Sequence, residues 1–109
     1  MFTIAANPTF THKVRVQVPV KGGWREEVFT ATFRVVPTDE LADVNLMDAG
    51  GTTTFLQSAI VGLDELQDEA KQAIPYSEEL RDRLITIPYV RQALVSTYFE
   101  GVSKAKTGN

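Results

Sequence analysis

Apolar and polar residues alternate along the first third of the chain, in two segments separated by a pair of glycines. Residues 10–20 carry an apolar or aromatic side chain at every second position, and between residues 24 and 36 the side chains of Phe29, Ala31, Phe33 and Val35 alternate with those of Val28, Thr30, Thr32 and Arg34. A period of two residues is typical of a half-buried strand. Gly22 and Gly23, between the segments, accept the positive φ that tight hairpins need. The pattern therefore predicts an antiparallel hairpin over residues 10–36.

Pro19 lies near the end of the first predicted strand and lacks the backbone N–H that a central strand donates to its neighbour. Proline is typical of edge strands and of strand ends, so this strand is expected at the edge of its sheet. An isolated two-stranded hairpin is marginally stable in water. Its apolar face therefore needs to be covered by the rest of the chain or by a strand of a partner.

Residues 38–48 are predicted to form a helix. Thr38 can act as its N-cap, and the acidic residues that follow suit the positive end of the helix dipole. Gly50 and Gly51 come next in the chain and are expected to end this helix. A second helical pattern, with apolar residues three and four positions apart, covers residues 55–63.

Residues 64–75 show no clear periodicity. Their alanine and glutamate content favours a helix, whereas Gly62 before the segment and Pro75 at its end also permit a loop or a short hairpin. Only an irregular connection is predicted for this part of the chain.

The longest stretch in which the local signals agree covers residues 76–102. Ser77 can cap a first helix. Pro88 disfavours a helical conformation at the residue before it, yet its missing N–H costs nothing at the start of a helix. One helix is therefore expected to end near Thr86, and a second, amphipathic helix to begin at Pro88. The apolar stripe of the second helix consists of Val90, Leu94, Thr97, Tyr98, Gly101 and Val102, widened by Ala93 and Phe99.

These patterns together predict an α+β fold in a single domain. An N-terminal antiparallel β-hairpin over about residues 10–36 is followed by about four α-helices over residues 38–104, packed on one face of the hairpin. A polar, flexible tail is expected at residues 105–109. A chain of 109 residues has the size of one domain.

The composition is that of a soluble protein. Hydrophobic residues make up 43% and charged residues 23%, and no apolar run approaches the length of a membrane span. The first residues do not resemble a signal peptide and the chain has no cysteine, so a cytoplasmic protein is expected. Residues 35–70 carry eight acidic side chains and no basic one. This acidic block disfavours nucleic acid as a partner.

Residues that could carry out catalysis or hold a metal are scarce. His12 lies on the valine side of the predicted strand, where a packed or hydrogen-bonded imidazole is a better interpretation than a catalytic base. The glycine pair lacks the Gly-Lys-Ser/Thr of a phosphate loop, and the acidic residues around Asp64 and Asp68 lack the pattern of a calcium loop. The chain is therefore predicted not to be an enzyme and to use no metal or cofactor.

Several aromatic and apolar residues remain as candidates for contact with a partner. Trp24 lies at the predicted turn, where it either folds back onto the sheet or is offered to a partner. Two short helices joined by an elbow cannot bury every aromatic residue that they carry. The candidate partner-binding residues are Trp24, Tyr89, Val90, Leu94, Tyr98, Phe99 and Val102.

An ordered set of short motifs runs through nearly the whole chain. Its members are Phe10-Thr11-His12, Phe33-Arg34, Pro37 to Leu41, Phe55-Leu56, Val61-Gly62, Ile74 to Ser77, Pro88 to Arg91, Ala93-Leu94 and Tyr98-Phe99, with a Gly-Asn ending. In this order they resemble the tail assembly chaperones of long-tailed, siphovirus-type bacteriophages and prophages. The family usually has an aromatic residue after the Val-Gly pair and a glycine-containing acidic turn before the Ile-Pro pair. Here Leu63 and residues 70–72 stand instead, which favours a helix over a hairpin in that segment.

The resemblance implies a non-enzymatic assembly factor in the cytoplasm of the host bacterium. Such proteins bind and solubilise the tape measure protein while the tail tube protein polymerises around it, and the family often makes a longer product by frameshifting. No nucleic acid or membrane is expected as a partner. Our hypothesis is that Leu94 and Tyr98 form part of the surface that binds the tape measure protein.

Other functions and self-association stay open at this point. The hairpin edge and the exposed helices could each pair copies of the chain into a homo-oligomer. One alternative function is a structural tail component that is retained in the virion. Another is a small nucleic-acid-binding regulator that uses the basic residues of the hairpin. These residues are Lys13, Arg15, Lys21, Arg25 and Arg34.

Overall fold

A long β-hairpin forms the frame of the molecule. The structure, a computed structural model, describes residues 1–103. The strands of the hairpin are β1 (Thr9–Val20) and β2 (Gly23–Arg34), which pair in continuous antiparallel register along their full length. Gly22 in the two-residue turn has φ of +83°, a conformation that glycine adopts without strain. The predicted hairpin is confirmed.

A third strand, β3 (Ile60–Asp64), pairs with the other edge of β2, so the sheet has the order β1-β2-β3. β1 is therefore an edge strand, as Pro19 indicated. The helix predicted over residues 55–63 is wrong from Ile60 onward. Ile60 and Val61 are β-branched, and the chain here lies beside the otherwise unpaired edge of β2, where backbone hydrogen bonds favour a strand.

The middle of the chain contains two short helices, α1 (Thr38–Ala42) and α2 (Ala49–Ala59), so the helix predicted over residues 38–48 ends early and the helical pattern over residues 55–63 belongs to a helix that begins before it. Pro37 occupies the N-cap position of α1, and no side chain caps this helix, so the role predicted for Thr38 is wrong. Gly50 and Gly51 lie in the first turn of α2 and do not end a helix. The Asp48 side chain caps α2 by accepting a hydrogen bond of 3.1 Å from the N–H of Gly51.

Residues 65–77 form an irregular connection, as predicted. Its middle is a short turn in which Gln67 and Ala73 form an isolated antiparallel bridge. Glu65 and Lys71 both have positive φ, at 63° and 64°. The departure from the family pattern in this segment favoured a helix, and that interpretation is wrong. The chain instead reverses here, and the N–H groups of Ile74 and Asp68 donate to the carbonyl oxygens of Leu66 and Gln72 at 2.9 and 3.0 Å, as in the short hairpin that the sequence left open.

The last two helices are α3 (Glu78–Ile85) and α4 (Pro88–Ser103), joined by an elbow at residues 86–87. The Ser77 hydroxyl caps α3 by accepting a hydrogen bond of 3.0 Å from the N–H of Leu80. Both the cap and the start of α4 at Pro88 are confirmed.

The helices cover one face of the sheet and enclose a single hydrophobic cluster, with α4 packed along β1. Its buried members are Val14, Val16, Phe29, Ala31, Phe33, Val36, Phe55, Leu56, Ala59, Ile60, Leu63, Leu80, Ile85, Val90, Leu94 and Tyr98. The α+β fold is confirmed, with a third strand added. The tail predicted for residues 105–109 lies outside the described residues. Within residues 1–103, no helix is both long enough and apolar enough to cross a membrane.

Candidate partner-binding surfaces

Three of the candidate partner-binding residues belong to the core. Val90, Leu94 and Tyr98 are 6%, 0% and 2% exposed, because the apolar stripe of α4 packs against the sheet of its own chain. The hypothesis that Leu94 and Tyr98 form part of an open binding surface therefore needs correction. The amphipathic pattern of α4 is explained by intramolecular burial.

Phe99 and Val102 lie at the border of this core. Phe99 is partly buried and stacks on Phe55, with ring centroids 5.6 Å apart and an angle of 14° between the ring planes. Val102 is 41% exposed near the end of α4. Neither residue lines a concave surface near Trp24 or Tyr89, so these two pairs of candidates do not form one site.

Trp24 and Tyr89 are brought together at the turn end of the hairpin. Trp24 is 73% exposed and Tyr89 is 38% exposed. Trp24 pairs with Pro19 across the hairpin. The sequence left open whether Trp24 folds back onto the sheet, and its exposure shows that the indole faces solvent. Both aromatic residues line the same depression in the surface.

This depression, which we name the edge groove, is a channel of about 650 Å³ between β1 and α4. Its strand side consists of His12, Lys13, Arg15, Gln17, Pro19 and Trp24, and its helix side of Tyr89, Gln92, Ala93, Ser96, Thr97, Glu100 and Gly101. The basic side chains of the groove have partners within the chain. Lys13 Nζ lies 3.6 Å from Glu65 Oε1, and Arg15 Nη1 lies 3.2 Å from Glu26 Oε2.

A second depression, which we name the hairpin cleft, has a volume of about 490 Å³ and lies beneath the turn half of the hairpin. It is lined by Val16, Val18, Arg25, Glu27, Val28, Phe29, Glu65, Leu66, Gln67, Leu84, Ile87, Tyr89 and Val90. Most of these side chains are apolar, and an ion pair of 2.7 Å between Arg25 and Glu27 lies among them. Tyr89 lines both depressions. The sequence pattern gave no direct signal for Leu66, Leu84 and Ile87 as a joint surface, because they come from separate elements.

Two carboxylates have a lowered pKa, namely Glu65, which lines the hairpin cleft, and Asp82, which lines neither depression. A hydrogen bond from the Thr30 hydroxyl, followed by the charge of Lys13, lowers the pKa of Glu65. Hydrogen bonds from Arg81 and then Gln57 lower the pKa of Asp82 in α3. Both carboxylates are therefore negative at neutral pH. They act as acceptors that join neighbouring elements.

Residues 1–103 contain no group of three His, Cys, Asp or Glu side chains arranged to hold a metal ion. The His12 ring makes an edge contact with Phe10, with centroids 5.5 Å apart. His12 is nevertheless exposed, so the imidazole lies against a neighbouring ring without being buried in the core as the strand pattern suggested.

Comparison of the chain with protein-family models, with curated proteins and with solved structures finds no match.

Proposed function

We propose that this chain is a tail assembly chaperone of a long-tailed bacteriophage or prophage. In this role it binds the tape measure protein in the host cytoplasm, without catalysis, and keeps it soluble while the tail tube protein polymerises. The ordered set of motifs from Phe10 to Phe99 supports the assignment through its resemblance to this family. The α+β architecture and the exposed apolar surfaces are compatible with such a role.

The hairpin cleft is the observation that carries the proposal. Val18, Leu84 and Ile87 are only partly buried, and they converge on a depression that is open to solvent. An apolar surface of this kind binds the apolar face of an amphipathic helix, whose residues recur three and four positions apart. A tape measure protein exposes long apolar helices before the tube encloses it, so the cleft offers the chemistry that such a partner needs.

The ion pairs of the hairpin favour a protein partner over a nucleic acid. Four of the five basic hairpin residues that a nucleic-acid regulator would use are ion-paired with glutamates of the same chain. The pairs are Lys13–Glu65, Arg15–Glu26, Arg25–Glu27 and Arg34–Glu40. Phosphate binding would have to compete with each of these carboxylates.

The decisive experiment is co-expression with the tape measure protein of the same phage, followed by size exclusion of the soluble fraction. We expect the tape measure protein to be insoluble alone and to co-elute with the wild-type chain. The double variant Leu84→Gln/Ile87→Gln should reduce the co-eluting amount by about tenfold or more, because the loss of apolar anchors at the centre of an interface costs about 2 kcal/mol or more of binding.

Val61→Gln is the matched control, since Val61 is 45% exposed on β3 and lines neither depression. It should leave co-elution unchanged. Circular dichroism confirms that each variant is folded, and Tyr89→Ser provides a milder change in the same cleft. A tape measure protein that stays insoluble beside the folded wild-type chain would refute the proposal. Stoichiometric amounts of the chain in purified phage would instead indicate a structural tail component.

A further inference from the structure

Residues 1–8, which we name the arm, precede β1 and are exposed along their whole length. Phe2 and Ile4 are each 86% exposed. Phe2, Ile4 and Ala6 alternate with Thr3, Ala5 and Asn7, and this period of two residues is typical of a strand with one apolar face. The arm thus has the pattern of a strand, while the described chain gives it no surface to cover.

The edge groove has the geometry to receive such a strand. β1 pairs with β2 on one side only, and no strand within residues 1–103 pairs with its other edge. A strand added there would lie about 4.8 Å from β1 and form backbone hydrogen bonds with it. Tyr89, Trp24 and Pro19 make the turn end of the groove apolar and aromatic, so they are suited to side chains such as Phe2 and Ile4.

The two ion pairs of the edge groove favour an occupant without charged side chains. Lys13 and Arg15 already have Glu65 and Glu26 as partners, so a charged segment entering the groove would have to compete with these ion pairs. The side chains of residues 2–8 are all uncharged. The arm can therefore enter the groove without competing with either ion pair, and Glu100, the acidic residue of the lining, is exposed to solvent.

The length of β1 shows whether an arm can reach the aromatic end of the groove in its own chain. Phe2 precedes Thr9 by seven residues and can lie at most about 25 Å from it. Pro19 follows Thr9 by ten residues of extended β1, a distance of about 33 Å. The arm of a chain cannot place Phe2 at the aromatic end of its own groove.

We propose that the arm of one copy binds in the edge groove of a second copy, where it adds a strand to β1. Phe2 and Ile4 of the arm then pack against Trp24 and Tyr89 of the second copy. Each copy has both an arm and a groove, so this contact builds either a reciprocal dimer or a larger assembly. The inference does not depend on the identity of the partner proposed above.

Cross-linking between single-cysteine variants tests the contact directly, because the wild-type chain contains no cysteine. Ile4→Cys, in the arm, is mixed with a longer, tagged Ser96→Cys chain, in which the new thiol lines the groove. Val61→Cys replaces Ser96→Cys in the control. Under mild oxidation we expect Ile4→Cys to form the mixed disulfide with Ser96→Cys at least about tenfold faster than with Val61→Cys, because binding raises the effective thiol concentration. Equal rates with the two partners would overturn the proposal.

Trp24 supplies a second, independent readout, since it is the only tryptophan of the chain. As the protein concentration rises, wild-type emission should shift to shorter wavelength and the mass from light scattering should increase. Phe2→Ser/Ile4→Ser should abolish both changes, whereas Thr3→Ala/Asn7→Ala should retain them. These substitutions lie outside the core, so thermal unfolding should be unchanged. A wild-type chain that stays monomeric at all concentrations, or arm variants that associate like wild type, would refute the contact.

Discussion

A single tyrosine joins the two halves of the core at the residue scale. The Tyr98 ring lies 4.9–5.6 Å, between centroids, from the rings of four phenylalanines that belong to β1, β2, α2 and α4. Its hydroxyl accepts a hydrogen bond of 2.9 Å from the buried backbone N–H of Val36. The Val36 N–H follows the end of β2, where the sheet no longer supplies an acceptor. Tyr98 therefore satisfies a backbone donor from the middle of an aromatic cluster.

Tyr98→Phe keeps the ring and removes only this acceptor. We expect the free energy of unfolding, measured by urea denaturation, to fall by about 1–3 kcal/mol, since the Val36 N–H is then left buried without its partner. Tyr89→Phe on the exposed side of α4 is the control and should change stability by less than about 0.5 kcal/mol. A loss as small as that of the control would mean that another acceptor reaches Val36.

At the scale of elements, the junction between the hairpin and β3 is held by polar contacts on the solvent side of the sheet. The Thr30 hydroxyl of β2 donates to the Glu65 carboxylate, and Lys13 of β1 lies 3.6 Å from the same carboxylate. Glu65 follows the last residue of β3 and has positive φ. One carboxylate thus connects all three strands at the point where the third ends.

This junction should weaken in acid. Because folding lowers the pKa of Glu65, its contribution to stability is present above the pKa of the unfolded carboxyl and is lost as pH falls through the lower folded value. Thr30→Val removes the largest cause of the shift. We expect urea denaturation to show a smaller loss of stability between pH 7 and pH 3 for Thr30→Val than for wild type. Equal losses for the two proteins would exclude a role for this hydrogen bond.

The elements of the fold differ in how well they could be predicted from the sequence. The hairpin, the Ser77 cap and the start of α4 at Pro88 depend on neighbouring residues, and all three were predicted. β3 was mistaken for helix because Ile60 becomes part of a strand only through pairing with β2, a contact between residues far apart in the chain.

The candidate site was predictable in part, for a related reason. Trp24 and Tyr89 are exposed and line the same groove, and their contact with a partner stays a prediction. An apolar stripe such as that of α4 does not reveal whether the sheet of its own chain or a partner covers it. Leu94 and Tyr98 were therefore predicted to contact a partner, although they are buried in the core. The hairpin cleft combines side chains from β1, β2, α3, α4 and two connections, and no local pattern joins them.

At the scale of the whole molecule, one arginine connects three of the four helices. Arg91 of α4 donates hydrogen bonds to Thr53 Oγ1 at 2.7 and 2.9 Å, to the Ala49 carbonyl oxygen at 2.7 Å and to the Ile85 carbonyl oxygen at 3.4 Å. These acceptors belong to α2 and α3. The guanidinium reaches these acceptors from two nitrogens held in a rigid plane, whereas an ammonium would have to donate from a single nitrogen.

Arg91→Met keeps the aliphatic part of the side chain and removes every one of these donors. We expect a loss of about 1.5–3 kcal/mol in the free energy of unfolding, because hydrogen bonds from charged groups contribute in this range. Arg91→Lys should recover only part of the loss. Arg83→Met, on the exposed side of α3, should change stability by less than about 0.5 kcal/mol. A neutral Arg91→Met variant would show that the helices hold together by apolar packing alone.

The continuous register of the hairpin also limits how its length can change. Side chains in a strand alternate between faces, so insertion or deletion of one residue within β1 would turn the residues beyond it from the core to solvent. Two residues added to each strand near the turn would preserve every face and carry Trp24 about 7 Å farther from the start of α4. The number of residues in the hairpin therefore sets the distance between Trp24 and Tyr89, the two aromatic residues of the edge groove.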